Sequence, residues 1–312
     1  MRWIAVAVVA VIAVYFAVRR SPSPSEDRAQ AAVLADGFVT RLGSRVVEYD
    51  FDGTARTEHA LNRDGDVRVF GTRVGAAAAW KAGSKVHLER IADGEDLGDW
   101  GTRPVRQLCD GVATNDYNFA VGWLETDNRV WIVYGPVGDV VALDEPNVLR
   151  TRTWCGVASA GEGINLFWRE GDKLQWQRCT KKGCTGLPAH FALAKAAPVL
   201  GVGCLPDGDC LFASRDRFGK TELAYVTAQS KVKWRRNVGD TPAASIAAIG
   251  NDAFAVGYDG MVIHFDRKGT AVPLWVDDGL PAVAWSHGKV IITTGDKTVV
   301  RSDDPYDDSS TR

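Results

Sequence analysis

The sequence feature that most constrains the fold is a repeated order of short apolar segments and tight turns. Its clearest copy covers residues 254–269, where two five-residue segments of alternating apolar residues flank the turn Asp259-Gly260. An Asp-Gly pair between such segments is a strong β-hairpin signal. Residues 38–53 show the same order near the other end of the sequence. The pattern therefore predicts a chain built from repeated hairpins.

Five weaker copies follow the same order, so that seven copies are spaced by 36 to 46 residues. They begin at residues 38, 76, 119, 164, 210, 254 and 290. A short apolar segment precedes each copy, and a fourth segment follows several of them, as at residues 232–235 and 272–275. Four strands in about 40–45 residues is typical of one blade of a β-propeller. The sequence predicts an all-β propeller over residues 31–302 with seven blades, six or eight being the alternatives.

One repeat also carries a resemblance to a known family. Residues 251–266, followed by Trp275, resemble the repeat of bacterial extracytoplasmic β-propellers with the pattern Ala-Val-Gly-x-x-Gly-x-Ile-x-x-x-Asp-Gly. The Gly-His and Trp-Asp signatures of WD40 repeats are missing from the sequence. The resemblance implies the propeller fold, and it implies a binding or assembly role because such propellers are less often enzymes.

The first 30 residues have a different composition from the repeats. Residues 3–18 form an unbroken apolar run with Arg2 before it and Arg19 and Arg20 after it. Sixteen residues in a helix are somewhat short for a hydrocarbon core of about 30 Å, but flanking Arg and Trp side chains can anchor such a helix at the interface. The length also suits the apolar part of a signal peptide. We expect residues 1–20 to be a hydrophobic helix acting as an uncleaved signal anchor, with a cleaved signal peptide as the alternative.

The two flanking segments of the repeats are polar. Residues 21–30 are rich in Pro and Ser and are predicted to be a linker, whereas residues 303–312 read as a solvated acidic tail. The last repeat ends near residue 301 and shows no fourth segment. Either the final blade has three strands or the N-terminal segment completes it.

All six cysteines follow the apolar run, and their spacing predicts three disulfides. Two pairs flank short turns, which bring their Cβ atoms towards bonding distance. By elimination, the remaining two cysteines, 46 residues apart, would join neighbouring blades. The predicted pairs are Cys179–Cys184, Cys204–Cys210 and Cys109–Cys155. A zinc site formed by the four cysteines of the two local pairs is an alternative, although their spacing is wide for zinc, and reduced thiols are another.

Disulfides predict an oxidising compartment. Together with the apolar run at residues 3–18, they predict a protein anchored in a membrane and exposed to the periplasm or the cell surface. If the signal were cleaved, the protein would be secreted.

The sequence has no recognisable catalytic motif. Its five histidines fall in different repeats, and the serine-hydrolase elbow, the zinc-protease motif and the phosphate-binding loop are all missing. No cofactor or metal is therefore expected. The net charge of −2 predicts no general attraction to nucleic acid.

One segment stands out as a candidate binding loop. Residues 93–99 contain four acids, which could contact a basic partner or a cation, or could belong to a solvated connection between blades: Asp93, Glu95, Asp96 and Asp99. Other candidates at one mouth of the ring are the long loops predicted at residues 89–103, 135–150 and 185–197.

These observations predict a non-catalytic binding or assembly propeller on the outer side of a bacterial membrane. Its partner would be another envelope protein or a cell-surface polymer. The alternative is a propeller enzyme that acts on glycans or holds a redox cofactor at its axis.

Overall fold

The computed structural model describes residues 29–306 except for short internal gaps. The gaps are residues 62, 64–65, 73, 111–112, 116–117, 136–138, 143–151, 162, 181, 194–196, 242–244, 277–278 and 296. In this part of the chain all strand pairs are antiparallel, and successive strands form seven sheets in sequence order. The prediction of a seven-bladed all-β propeller is confirmed.

Every predicted hairpin supplies the second and third strands of a blade, and the short apolar segment before it supplies the first. Blades 1 to 3 consist of β1 (Gln30–Val33), β2 (Gly37–Leu42), β3 (Arg45–Asp50) and β4 (Ala55–Ala60); β5 (Val67–Thr72), β6 (Gly75–Ala82), β7 (Lys85–Arg90) and β8 (Asp96–Trp100); and β9 (Val105–Leu108), β10 (Ala113–Asn115), β11 (Asn118–Glu125), β12 (Val130–Gly135) and β13 (Asp139–Ala142).

Blades 4 to 7 continue in the same order. They consist of β14 (Arg152–Ala160), β15 (Gly163–Glu170), β16 (Lys173–Thr180) and β17 (Gly183–Ala192); β18 (Val199–Cys204), β19 (Cys210–Arg215), β20 (Thr221–Val226) and β21 (Val232–Asn237); β22 (Ser245–Ile249), β23 (Ala253–Tyr258), β24 (Met261–Asp266) and β25 (Ala271–Val276); and β26 (Ala282–Ser286), β27 (Lys289–Thr294) and β28 (Lys297–Ser302).

The ring closes by packing of the first blade against the last. The first strands of neighbouring blades contact one another around the ring, and β1 contacts β26. Phe38 of blade 1 is fully buried against Ala284 and Ile291 of blade 7. Because each blade has its two neighbours on its faces, a circular arrangement covers both faces of every sheet.

The hydrophobic core lies between the blades. The described residues form seven clusters of buried side chains, and each combines residues from two neighbouring blades. Trp123 and Trp168, which occupy equivalent repeat positions, are almost completely buried in these clusters. The large aromatic residues therefore pack blade against blade.

Blade 3 departs from the regular pattern at its inner edge. Both β9 and β10 pair with β11, so the inner strand is divided into two pieces. Between them, Asp110 forms an isolated parallel bridge with Gly156 of β14. The division places Cys109 and Asp110 at the junction with blade 4.

Blade 7 has three strands among the described residues. Asp303, the first residue of the predicted tail, is still attached to blade 7, because its N–H donates a hydrogen bond to the carbonyl of Gly288 at 3.1 Å. At the other boundary, Gln30 of the predicted linker already belongs to β1. The apolar run at residues 3–18 lies outside the described residues, and the part that is described contains no helix able to cross a membrane.

All three predicted long loops contain strand residues. Residues 89–103 include β8, and most of residues 185–197 belong to β17. Residues 135–150 include β13, while residues 143–150 lie outside the description. These three predictions were wrong as far as the described residues go, because the outermost strands of blades 2, 3 and 4 lie within these segments.

Candidate functional site

The four predicted acids lie on the outer part of blade 2. Asp93 and Glu95 occupy the hairpin turn between β7 and β8, whereas Asp96 and Asp99 belong to β8 itself. The segment is therefore not a connection between blades, and its backbone is tied into a sheet.

Asp93 and Glu95 are both paired with one cation. Arg90 donates from Nε to Oδ1 of Asp93 at 2.9 Å, and its Nη2 lies 2.6 Å from Oε2 of Glu95. This guanidinium, helped by the backbone N–H of Glu95, lowers the pKa of Asp93 to about 2. Two of the four predicted acids are thus held within the turn by Arg90, whose single charge offsets one of their two charges.

Asp96 and Asp99 remain more available. Their side chains are 68% and 59% exposed, and a ring nitrogen of His87 lies 2.7 Å from Oδ1 of Asp99. Among the described residues no group of three His, Cys, Asp or Glu side chains is arranged to hold a metal ion. The arrangement presents two exposed carboxylates on β8 beside His87 of β7, which suits a surface contact better than coordination of a cation.

The structure contains three disulfides. Cys179 and Cys184 face each other across β16 and β17, and Cys204 and Cys210 do so across β18 and β19. The third, Cys109–Cys155, joins the break in the inner strand of blade 3 to β14 of blade 4. No free cysteine occurs in the part of the chain described, so the thiols of the zinc alternative are bonded to one another in pairs.

A polar network links blades 5 and 6. The hydroxyl of Tyr225 donates to Oδ2 of Asp209 at 2.5 Å, and Arg267 lies 2.7 Å from Asp207. Burial raises the pKa of Tyr225, and the neighbouring Asp209 carboxylate raises it further. Because these groups bond to each other, the network is suited to holding the blades together.

A groove that the sequence did not predict lies between blades 4 and 5. Its volume is about 420 Å³, and it lies where β17 ends, beside the turn between β19 and β20. The lining residues are Ala192, Leu193, Ser214, Arg215, Asp216, Arg217, Phe218, Glu222 and Arg235. Such a volume lies within the range of small-ligand pockets.

The turn at residues 216–219 presents the aromatic side of the groove. Oδ1 of Asp216 accepts hydrogen bonds from the N–H groups of Phe218 at 2.8 Å and Lys220 at 2.9 Å. Gly219 completes the turn with a φ of 79°, a left-handed conformation that favours glycine. This turn holds Phe218 outwards, with 73% of its surface exposed, and the guanidinium of Arg217 lies 4.7 Å from its ring centroid.

The opposite side of the groove is formed by strands. Arg235 of β21 pairs with Glu222 of β20, and its guanidinium lies 4.8 Å from the ring centroid of Phe191 in β17. Arg215 donates from Nη1 to the carbonyl of Gly219 at 2.8 Å. The groove therefore combines three guanidinium groups with an exposed phenyl ring.

The sequence contained a faint signal of this groove. Arg215-Asp216-Arg217-Phe218 puts an aromatic residue among charges at a turn, where an apolar side chain has no blade to pack against. The adjoining wall, contributed by blade 4, could be identified only from the packing of the blades.

Comparison with known proteins shows similarity in structure alone. No protein-family profile matches the chain, and no curated protein matches it. Many solved structures do match. The β-propeller domain of Myceliophteria thermophila Cps50 (Swd1) is 12% identical, with 89% of this chain and 97% of that chain covered and a TM-score of 0.58.

Two further solved structures illustrate the range of similar proteins. BBS1N in complex with ARL6DN is 13% identical over 90% of this chain and 93% of that chain, with a TM-score of 0.57. A puromycin hydrolase is 14% identical over 87% of this chain and 50% of that chain, with a TM-score of 0.56. At these identities the similarity shows the β-propeller fold.

Proposed function

We propose that this chain is a non-catalytic propeller that binds a protein partner through one face of its ring. The observation that carries the proposal is the groove between blades 4 and 5, where Phe218 is 73% exposed beside Arg217. Aromatic and arginine side chains are enriched in protein interfaces and dominate their binding energy. A similar propeller, BBS1N, has been solved in complex with ARL6DN, which supports a binding role for this architecture.

We further propose that the propeller is tethered on the outer side of a bacterial membrane. The three disulfides favour an oxidising compartment. The apolar run at residues 3–18 would supply the tether, and the partner would be another envelope protein.

The binding role is tested by cross-linking the native protein in intact cells and identifying the protein recovered with it. We expect one reproducible partner protein, recovered again in the reciprocal experiment with the partner as bait. Recovery of no specific protein by the wild-type chain would contradict the binding role.

The contribution of the acidic strand is tested in the same experiment. The double variant Asp96→Asn/Asp99→Asn removes the two exposed charges of β8, and Glu58→Gln on blade 1 is the matched control because Glu58 is also exposed. If this strand contacts a basic partner, recovery falls in the double variant alone. Equal recovery would exclude this strand from the interface.

The compartment is tested separately by thiol alkylation without reductant. We expect no alkylated cysteine in the protein isolated from cells, since all six are bonded. Six alkylated thiols would contradict an extracytoplasmic location.

A further inference from the structure

We propose that the groove between blades 4 and 5 binds an acidic peptide segment of the partner that contains an aromatic or large apolar side chain. This inference rests on the proposed binding role and names the chemistry that the partner must present. It follows from the charges of the groove, its apolar surface and the position of its carboxylates.

The first observation is an excess of cations without carboxylate partners. Arg235 is paired with Glu222. In contrast, Arg215 donates to a backbone carbonyl and Arg217 stacks on a ring, and neither shows an ion pair with a described residue. Two guanidinium groups are thus available to a carboxylate, with which arginine forms strong two-pronged hydrogen bonds.

The second observation is the apolar surface beside these cations. Phe218 projects from its turn with almost three quarters of its surface exposed, while Leu193 and the exposed Ala192 form the adjoining wall. Burying an exposed phenyl ring against another apolar side chain is favourable, because it removes apolar surface from water. A ligand that covered only the cations would leave this ring in water.

The third observation is the pair of carboxylates within the groove. Asp216 and Glu222 oppose the three arginines, which leaves a small positive balance. A phosphate polymer or a sulfated glycan, with its high density of charge, would be repelled by both carboxylates. A peptide segment with a single Asp or Glu next to an aromatic residue matches this small positive charge. Its carboxylate can approach Arg215 and Arg217 while its aromatic ring covers Phe218.

The turn that carries these groups is already formed. Asp216 accepts two backbone hydrogen bonds at 2.8 and 2.9 Å, which hold the turn in place. Arg217 is likewise positioned by its contact with Phe218. A preformed site loses less conformational freedom on binding, so short peptides should bind measurably.

The inference is tested by selecting peptides from a random twelve-residue phage library on the purified full-length chain. We expect the selected peptides to carry an Asp or Glu within two residues of an aromatic or large aliphatic side chain. Affinities are then measured by fluorescence anisotropy with the labelled peptides. Arg217→Gln and Phe218→Ala should each weaken binding by about tenfold or more, as expected for central interface residues.

The chain offers a matched control outside the groove, on β21. Arg236 follows Arg235 on β21 but faces the other way, with its guanidinium 5.6 Å from the ring centroid of Phe265 in blade 6. Arg236→Gln removes the same charge outside the groove, and peptide affinity should stay within twofold of wild type. Equal thermal midpoints of the variants show that differences in affinity do not arise from unfolding.

Several outcomes would overturn the inference. They are selected peptides without acids, variants that bind the selected peptides as well as wild type, and binding of a heparin fragment or an oligonucleotide that Arg217→Gln abolishes. Concentration-dependent dimerisation that the same substitution abolishes would assign the groove to a second copy of this chain instead.

The closing experiment separates this inference from the proposed function. The double variant Arg217→Gln/Phe218→Ala is cross-linked in cells beside the wild type. Recovery of the partner with both chains would leave the binding role intact and overturn the groove as its site. Recovery with neither chain contradicts the binding role itself, whatever the peptides show.

Discussion

The indole N–H of Trp154 donates a hydrogen bond to Oδ2 of Asp110 at 2.5 Å, across the junction between blades 3 and 4. The other oxygen of the same carboxylate accepts from Arg68 of blade 2 at 3.1 Å. The backbone of Asp110 also bonds to β14, with its N–H donating to Cys155 and its carbonyl accepting from Val157, both at 2.9 Å. One residue thus connects three consecutive blades where the inner strand of blade 3 is interrupted.

Replacing this carboxylate should weaken the ring. In Asp110→Ala, Arg68, which is 8% exposed, and Trp154 both lose an acceptor. Losing hydrogen bonds to a charged group costs about 1.5–3 kcal/mol. We expect a loss of this size in the free energy of unfolding, measured by urea denaturation. Asp96→Ala, at an exposed site on blade 2, is the control and should change stability by less than about 0.5 kcal/mol; equal effects of both substitutions would refute the connecting role.

The disulfide between blades should stabilise the protein more than a disulfide within a hairpin. Cys109–Cys155 closes a segment with a separation of 46 residues, whereas Cys204–Cys210 has a separation of 6. The loop-entropy relation gives about 4 kcal/mol for the long segment and about 2 kcal/mol for the short one. We therefore expect the double variant Cys109→Ala/Cys155→Ala to lower the guanidinium midpoint of unfolding more than Cys204→Ala/Cys210→Ala does. The reverse order would show that strand pairing in the hairpin, and not the link between blades, limits stability.

A buried glutamate should be intolerant of substitution. Glu125 has no exposed surface, and its carboxylate accepts from the N–H of Thr102 at 2.7 Å, the Thr102 hydroxyl at 2.9 Å and the Trp123 indole at 3.3 Å. Glu125→Ala leaves the indole N–H of the buried Trp123 without this acceptor and removes the link to the exposed Thr102, at a cost of about 1–3 kcal/mol. Glu125→Gln, which keeps one acceptor oxygen, should lose less.

The matched control for Glu125 is Glu58→Ala, because Glu58 forms an exposed ion pair with Arg45. Exposed pairs contribute about 0–1 kcal/mol. Thermal midpoints at one pH provide the measurement, and a loss in Glu125→Ala no larger than in Glu58→Ala would contradict the role of the buried carboxylate.

His264 should make stability fall as the solution becomes mildly acidic. Burial lowers the pKa of this half-buried side chain below its ordinary value of 6.5, although nearby carboxylates, first among them Asp266, oppose the shift. As the pH falls below 6.5, the unfolded chain takes up a proton at this histidine more readily than the folded chain does. Stability that is present at pH 7.5 is therefore progressively lost towards pH 5.

His264→Gln should therefore reduce the difference in thermal midpoint between pH 7.5 and pH 5.5. His190→Gln is the control, because His190 is exposed on β17, and it should leave the difference unchanged. An undiminished difference in His264→Gln would assign the acid sensitivity to other groups.

Most of the fold was predictable because it depends on local patterns. The alternation of residues 254–258 and 261–265 around Asp259-Gly260 predicted β23 and β24, and the structure pairs Tyr258 with Met261 across that turn. The cysteines that flank short turns were predictable for the same reason. Acidic composition misled the interpretation of residues 93–99, because the exposed outer strand of a blade is as polar as a loop.

The sequence by itself determined the repeated order of strands, and it favoured seven blades and three disulfides over the alternatives, because these follow from side-chain alternation, turn chemistry and cysteine spacing. The tertiary structure decided which polar groups meet. Asp110 lies 42 residues from Arg68 and 44 from Trp154, and only the packing of blades around the axis brings them together. The groove has the same origin, since Phe218 and Leu193 belong to different blades and no local pattern relates them.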